Sequence, residues 1–208
     1  MHLSRQPLAL AVAITCTLVA ARPATAGPPT DGLKSNIDRV IKVLEEPALK
    51  GKVKERRTAV RKIAAEIFDV DETARRSLAR HWQARTPAQR EEFVQLFGDL
   101  LEVTYISKIE QYGGEKIVYL GDSVDGEQAT VRTKLITKQG TDIPVDYRML
   151  KKGDKWMVYD VVIEGVSLVS NYRTQFNKII QTSSYEELVK KLKTKQEELI
   201  NVPAKGTS

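Results

Sequence analysis

The sequence has little of what reactive chemistry needs. It holds one cysteine, Cys16, and two histidines, His2 and His81. Cys16 sits in the first apolar run, so the chain after that run offers no disulfide, thiol nucleophile or thiolate metal site. His81, beside Trp82, has no second imidazole to share a metal and no acid spaced for a triad, so it reads as structural. Gly165-Val166-Ser167-Leu168-Val169 lacks the second glycine of a nucleophile elbow. No phosphate loop, dinucleotide fingerprint or metal-ligand cluster appears, and neither a cofactor nor a metal is expected.

Long hydrophobic runs are equally scarce. The one present, Leu8 to Ala21, is too short for a comfortable membrane span and follows a weakly basic start with His2 and Arg5. Ala24-Thr25-Ala26 is an A-x-A cleavage site. These features predict a signal peptide over residues 1–26, cleavage near Ala26, and a single domain over 27–208 in the periplasm. A lipoprotein attached through Cys16 is disfavoured because Thr15 stands where a lipobox wants Gly or Ala. Cleavage would remove two arginines and no acid, taking the formal charge from +6 to +4. Export argues against nucleic acid as a partner despite the basic balance, and a monomer is expected.

The first half of this domain is read as helical. Thr30 or Asp31 can cap a helix with Leu33, Ile37, Val40, Ile41 and Leu44 on one face, and Gly27-Pro28-Pro29 before it reads as a frayed end. A second helix, to about Phe68, puts Val53, Val60, Ile63, Ala64 and Ile67 inward and Lys52, Lys54, Arg56, Arg57, Arg61 and Lys62 outward. Asp71 is the expected cap of a short third helix. Thr86-Pro87-Ala88-Gln89 is a capping box with proline at the first helical position. It opens a long fourth helix with a wide apolar stripe: Phe93, Leu96, Phe97, Leu100, Leu101, Thr104 and Tyr105.

After Gly113-Gly114 the period falls to two. Strands are expected at 116–120, 128–137, 142–150 and 156–163, joined by turns at Asp125-Gly126, Gln139-Gly140 and Gly153-Asp154 into an antiparallel meander. Alternation in the last strand assigns Trp156, Val158 and Val162 to one face and Met157, Tyr159, Val161 and Ile163 to the other. Helices over about 167–180 and 184–200 close an α+β fold of N-terminal helices, a curved antiparallel four-stranded sheet and two C-terminal helices. That order resembles the nuclear-transport-factor-2-like cones, which enclose an apolar cavity.

The stretch WMVYDVVIEGVSLVSNYRTQF, with His81-Trp82, Thr86-Pro87, Phe93, Tyr105 and Leu188, resembles the MlaC-type periplasmic phospholipid-binding proteins of the Mla (maintenance of lipid asymmetry, or toluene-tolerance) system. The likeness covers roughly residues 33 to 195. Two departures stand out: Ala79 where glycine is common, and Met157 where a basic residue often follows the tryptophan. The resemblance implies a carrier that shuttles glycerophospholipids between an outer-membrane lipoprotein–porin complex and an inner-membrane ABC transporter with an MCE-domain protein. Hopanoid-associated relatives make a hopanoid-type binder an alternative.

A lipid carrier has a plain physical requirement. At ~0.8 kcal/mol per methylene, exposing a 16-carbon chain to water costs on the order of 12 kcal/mol, so the cavity must be apolar and free of charge. The candidate lining is Phe93, Phe97, Leu100, Leu101 and Tyr105 from the long helix, and Val131, Leu135, Val145, Tyr147, Met149, Tyr159 and Val161 from the sheet. Val169 and Tyr172 add to it from the helix that follows. Arg56, Arg57, Arg61 and Arg148 are candidates for docking membrane partners. The competing reading is a cavity isomerase or dehydratase using Asp160 and Tyr159; simple alternation places those two on opposite faces and counts against it.

Overall fold

A computed structural model describes residues 27–200, apart from the side chains of Ser107, Leu199 and Ile200. The expected leader and the tail from Pro203 lie outside the described residues. Six helices are observed: α1 (Pro28–Glu45), α2 (Val53–Ile67), α3 (Val70–Leu78), α4 (Pro87–Ile109), α5 (Leu168–Thr182) and α6 (Tyr185–Ile200). Between α4 and α5 runs one antiparallel sheet in sequence order: β1 (Lys116–Asp125), β2 (Gln128–Ile136), β3 (Asp142–Lys152), β4 (Lys155–Ile163) and a two-residue β5 (Val166–Ser167). The α+β order is the one expected, with β5 added after a tight turn at Glu164-Gly165.

Local signals located most elements. Thr86 caps α4 with both arms of the capping box in place. Two caps differ from expectation. Asp69, not Asp71, caps α3 by accepting from the Glu72 N–H at 3.1 Å. The presumed frayed end is the first turn of α1, with Pro28 and Pro29 at its opening positions and Pro29 and Thr30 buried. Proline there needs no N–H partner, and the cap comes from another element: the Asp122 carboxylate of β1 accepts from the Gly27 N–H, the Thr30 N–H and the Thr30 hydroxyl.

The sheet carries two bulges, one between Tyr119 and Gly121 of β1 and one opposite Arg148–Met149 of β3. The second makes Tyr159 an extra residue, because Met149 pairs with Val158 and Arg148 with Asp160. A one-residue slip moves every later side chain to the other face. Val161 and Ile163 therefore join Trp156 and Val158 opposite Tyr147 and Val145, while Val162 turns away. That corrects the simple alternation expected for this strand.

Helices α1 and α2 cover the face shared by Ala129, Val131, Met149 and Val158, and contribute Leu33, Ile63 and Ile67 to that core. Each such side chain taken from water contributes roughly 1.5–3 kcal/mol. A second core lies among α3 to α6: Phe93, Phe97, Phe176, Tyr185, Leu188 and Leu192. The Phe97 ring meets those of Phe176 and Tyr172 edge-on, at 5.1 and 4.9 Å between centroids. The open edge of β4 is covered rather than exposed: the Asp69 N–H donates to the Val158 carbonyl at 2.8 Å, and the Thr73 hydroxyl to the Tyr159 carbonyl at 2.9 Å.

Candidate functional site

The candidate lining divides by burial. Phe93, Phe97 and Val131 have no exposed surface, Met149 and Val169 have almost none, and Tyr159 is also buried. The first two are packing within the helical core and Val131 and Met149 within the sheet core. Leu100, Leu101, Tyr105, Leu135, Val145, Tyr147, Val161 and Tyr172 are half-buried. They come from the second half of α4, the α1/α2-facing side of β2 to β4, and α5. Among them, Leu100, Leu101 and Tyr172 edge the helical core, and Tyr147 and Val161 edge the sheet core. None of the eight carries a charge.

Tyr147 is informative because two of its properties pull apart. It keeps accessible surface, yet burial alone pushes its hydroxyl up to about 12. Tyr172 behaves similarly: burial first, then Tyr105, pushes its hydroxyl up to about 12. Burial also raises the pKa of the neighbouring Tyr105 hydroxyl. Sequence reading missed Tyr119, also half-buried and packed at the edge of the sheet core. Its hydroxyl is shut from solvent without a hydrogen-bond partner among the described residues, and burial raises its pKa. Its register opposite Thr133 was the available signal. Ile163 and Val166, 42% and 63% exposed, pair across the last turn and extend apolar surface beyond Val145.

Asp160 and Tyr159 do something else. Because Tyr159 is the bulged residue, both turn toward α3 and α5. The buried Asp160 carboxylate accepts from Arg148 Nη1 at 3.1 Å, the Ser167 hydroxyl at 2.7 Å and the Val169 N–H at 3.0 Å. That seats the start of α5 on β4, with Ser167 capping the helix by accepting from the Ser170 N–H. The Arg76 guanidinium lies 4.0 Å over the Tyr159 ring. The Asp160 carboxylate is thus occupied three times over, and the Ser167 hydroxyl serves as a helix cap. His81 Nε2 lies 3.0 Å from Asn177 Oδ1 and ties the end of α3 to α5.

The arginines proposed for docking are paired. Arg57 forks onto Glu110, the residue that follows α4, at 2.9–3.1 Å, Arg56 approaches the same carboxylate at 3.9 Å, and Arg61 pairs with Glu102. These contacts bind α2 to the second half of α4, the half that carries Leu100, Leu101 and Tyr105.

A sequence model of the family described as MlaC protein matches residues 34–194. The chain belongs to the MlaC family. It is 26% identical over 141 residues to the intermembrane phospholipid transport system binding protein MlaC of Haemophilus influenzae, covering 65% of this chain and 66% of that one. It is 26% identical over 125 residues to the toluene tolerance protein ttg2D of Pseudomonas putida, covering 59% and 58%. The chain thus spans less than two thirds of the length of these curated relatives, 66% of one and 58% of the other. In fold it matches a phospholipid-binding protein from Ralstonia solanacearum, solved in complex with a phospholipid, with a TM-score of 0.75 and 24% identity over 84% of this chain and all of the other.

Proposed function

We propose that this member of the MlaC family is a periplasmic phospholipid carrier, exported with cleavage after Ala26. The observation that carries the reading is the uncharged, half-buried set from α4, the sheet and α5. Acyl chains lie between α4 and the sheet against Leu100, Leu101, Tyr105, Leu135, Val145, Tyr147, Val161 and Tyr172. The headgroup stays at the mouth, because the eight half-buried lining residues carry no charge to hold it, and selectivity among headgroups is weak. The name of the H. influenzae relative, a phospholipid transport system binding protein, supports the lipid class.

In this reading the carrier exchanges lipid with an inner-membrane ABC transporter bearing an MCE-domain protein and with an outer-membrane lipoprotein–porin complex. Since Arg56, Arg57 and Arg61 already hold Glu102 and Glu110, steering of encounter falls to the neighbouring Lys52, Lys54 and Lys62. The occupied carboxylate of Asp160 supports a binding protein over an enzyme. Native mass spectrometry of the protein purified from periplasm tests the reading. A co-purifying diacyl lipid supports it; protein that is folded, fully processed and devoid of lipid refutes it.

A further inference from the structure

The start of α1 is built around one carboxylate. Gly121, buried and at φ +99°, follows the bulge of β1 and sets Asp122 opposite Val131, on the face that α1 covers. Asp122 Oδ2 accepts from the Gly27 nitrogen at 3.0 Å, the Thr30 nitrogen at 3.0 Å and the Thr30 hydroxyl at 2.7 Å. Thr30 is 1% exposed. The approach at Gly27 is too close for a side chain: a Cβ there would stand 2.8 and 3.0 Å from the two carboxylate oxygens. Gly27 is also the residue that follows the A-x-A site.

Hydrolysis of the Ala26–Gly27 peptide bond leaves the carboxylate on Ala26 and the amine on Gly27, and that amine takes up a proton at neutral pH. We propose that leader removal turns the Gly27 nitrogen into an ammonium that pairs with Asp122, so that processing itself fastens α1 to β1. Before cleavage the same nitrogen is a neutral amide with one hydrogen. The amide contact already has an ionised acceptor; afterwards the donor is charged as well, so the hydrogen bond becomes an ion pair between the same two atoms. Because α1 supplies Leu33 to the sheet core, the ion pair stabilises the cover over the proposed lipid site only in the processed chain. The inference rests on cleavage after Ala26 and is independent of the lipid.

The test compares the processed protein with a free Gly27 amine and the same protein Nα-acetylated, each with Asp122 and with Asp122→Asn, by urea denaturation at pH 7. Acetylation should lower the folding equilibrium constant about fivefold to tenfold with Asp122, or about 1–1.4 kcal/mol, and less than about twofold with Asp122→Asn. Equal effects in the two backgrounds overturn the ion pair. Should Asp122→Asn fail to fold, the wild-type protein alone decides. Its Gly27 amine should acylate at least about tenfold more slowly at pH 7 than the amine of a Gly-Pro-Pro-Thr peptide, and equal rates overturn the pair. Intact mass separates the two premises: a first residue other than Gly27 overturns the processing and the pair together.

Discussion

Replacing Val145 with glutamate should empty the proposed site in a manner set by pH. Val145 is half-buried on β3, opposite Thr133 and Ile163. In the lipid-free protein its side chain retains access to water, so a glutamate there costs little stability, about 1 kcal/mol or less. Once an acyl chain covers it, the carboxylate must be either buried unpaired or protonated. Burying the ion costs several kcal/mol, so protonation is the cheaper route. Taking a glutamic acid with an ordinary pKa of about 4.3 to the neutral form at pH 7 costs about 3.7 kcal/mol, a factor of roughly 500 in lipid affinity. At pH 5 the same step costs only about 1 kcal/mol, a factor of about five. Each unit of acidification should therefore recover about tenfold in affinity until the pKa is reached. Val145→Gln provides the control, because it carries the polar desolvation cost of about 1–3 kcal/mol without the proton. Transfer of a fluorescent phospholipid from vesicles, measured between pH 5 and pH 7, reads both variants. A folded Val145→Glu protein that binds lipid at pH 7 as well as wild type removes Val145 from the lining. A loss equal at both pH values means that shape, not charge, is responsible.

Three further outcomes follow from the geometry. Ala79 holds φ +49° and ψ −122°, a backbone state that favours glycine at a cost of order 1–3 kcal/mol for other residues; Ala79→Gly should raise stability by about 1 kcal/mol in chemical denaturation, and no gain would mean that the strain is absent. Burial, with Glu102 adding to it, raises the pKa of Asp99, so its ionisation opposes folding and this opposition fades as pH falls through the raised value toward the ordinary one. Asp99→Asn should increase the melting temperature at pH 7 and flatten the gain seen on acidification, and an unchanged pH profile would contradict the assignment. Arg57→Ala and Glu110→Ala should show a coupling of about 0.5–1 kcal/mol in a double-mutant cycle, weakening with salt; additive effects would mean that the pair does not fasten α2 to α4.

What could be read from the sequence was what is local. The capping box from Thr86 to Gln89 lies within one turn and needs nothing from the rest of the chain, so it was legible without a fold. The same holds for the turn glycines Gly126, Gly140 and Gly153, all at positive φ. Reading failed where a partner arrives from far along the chain. Asp122 caps α1 across 92 to 95 residues, so Gly27-Pro28-Pro29 looked like a loose end. Glu110 pairs with Arg57 across 53 residues, a tie between helices that the basic run alone does not show. Period-two alternation was sound up to Val158 and misleading beyond it, because the bulge at Tyr159 depends on register against β3. The lining was legible as apolar faces. Its division into packed and half-buried members was not, since Phe97 and Leu100 share one helical stripe and differ only in what folds over them. Phe97 meets Tyr172 and Phe176, whereas Leu100 lies less than a full turn further along, at the edge of that core. The site therefore begins where the aromatic packing of α4 ends, and that boundary is fixed by α5, a segment some seventy residues downstream in the sequence.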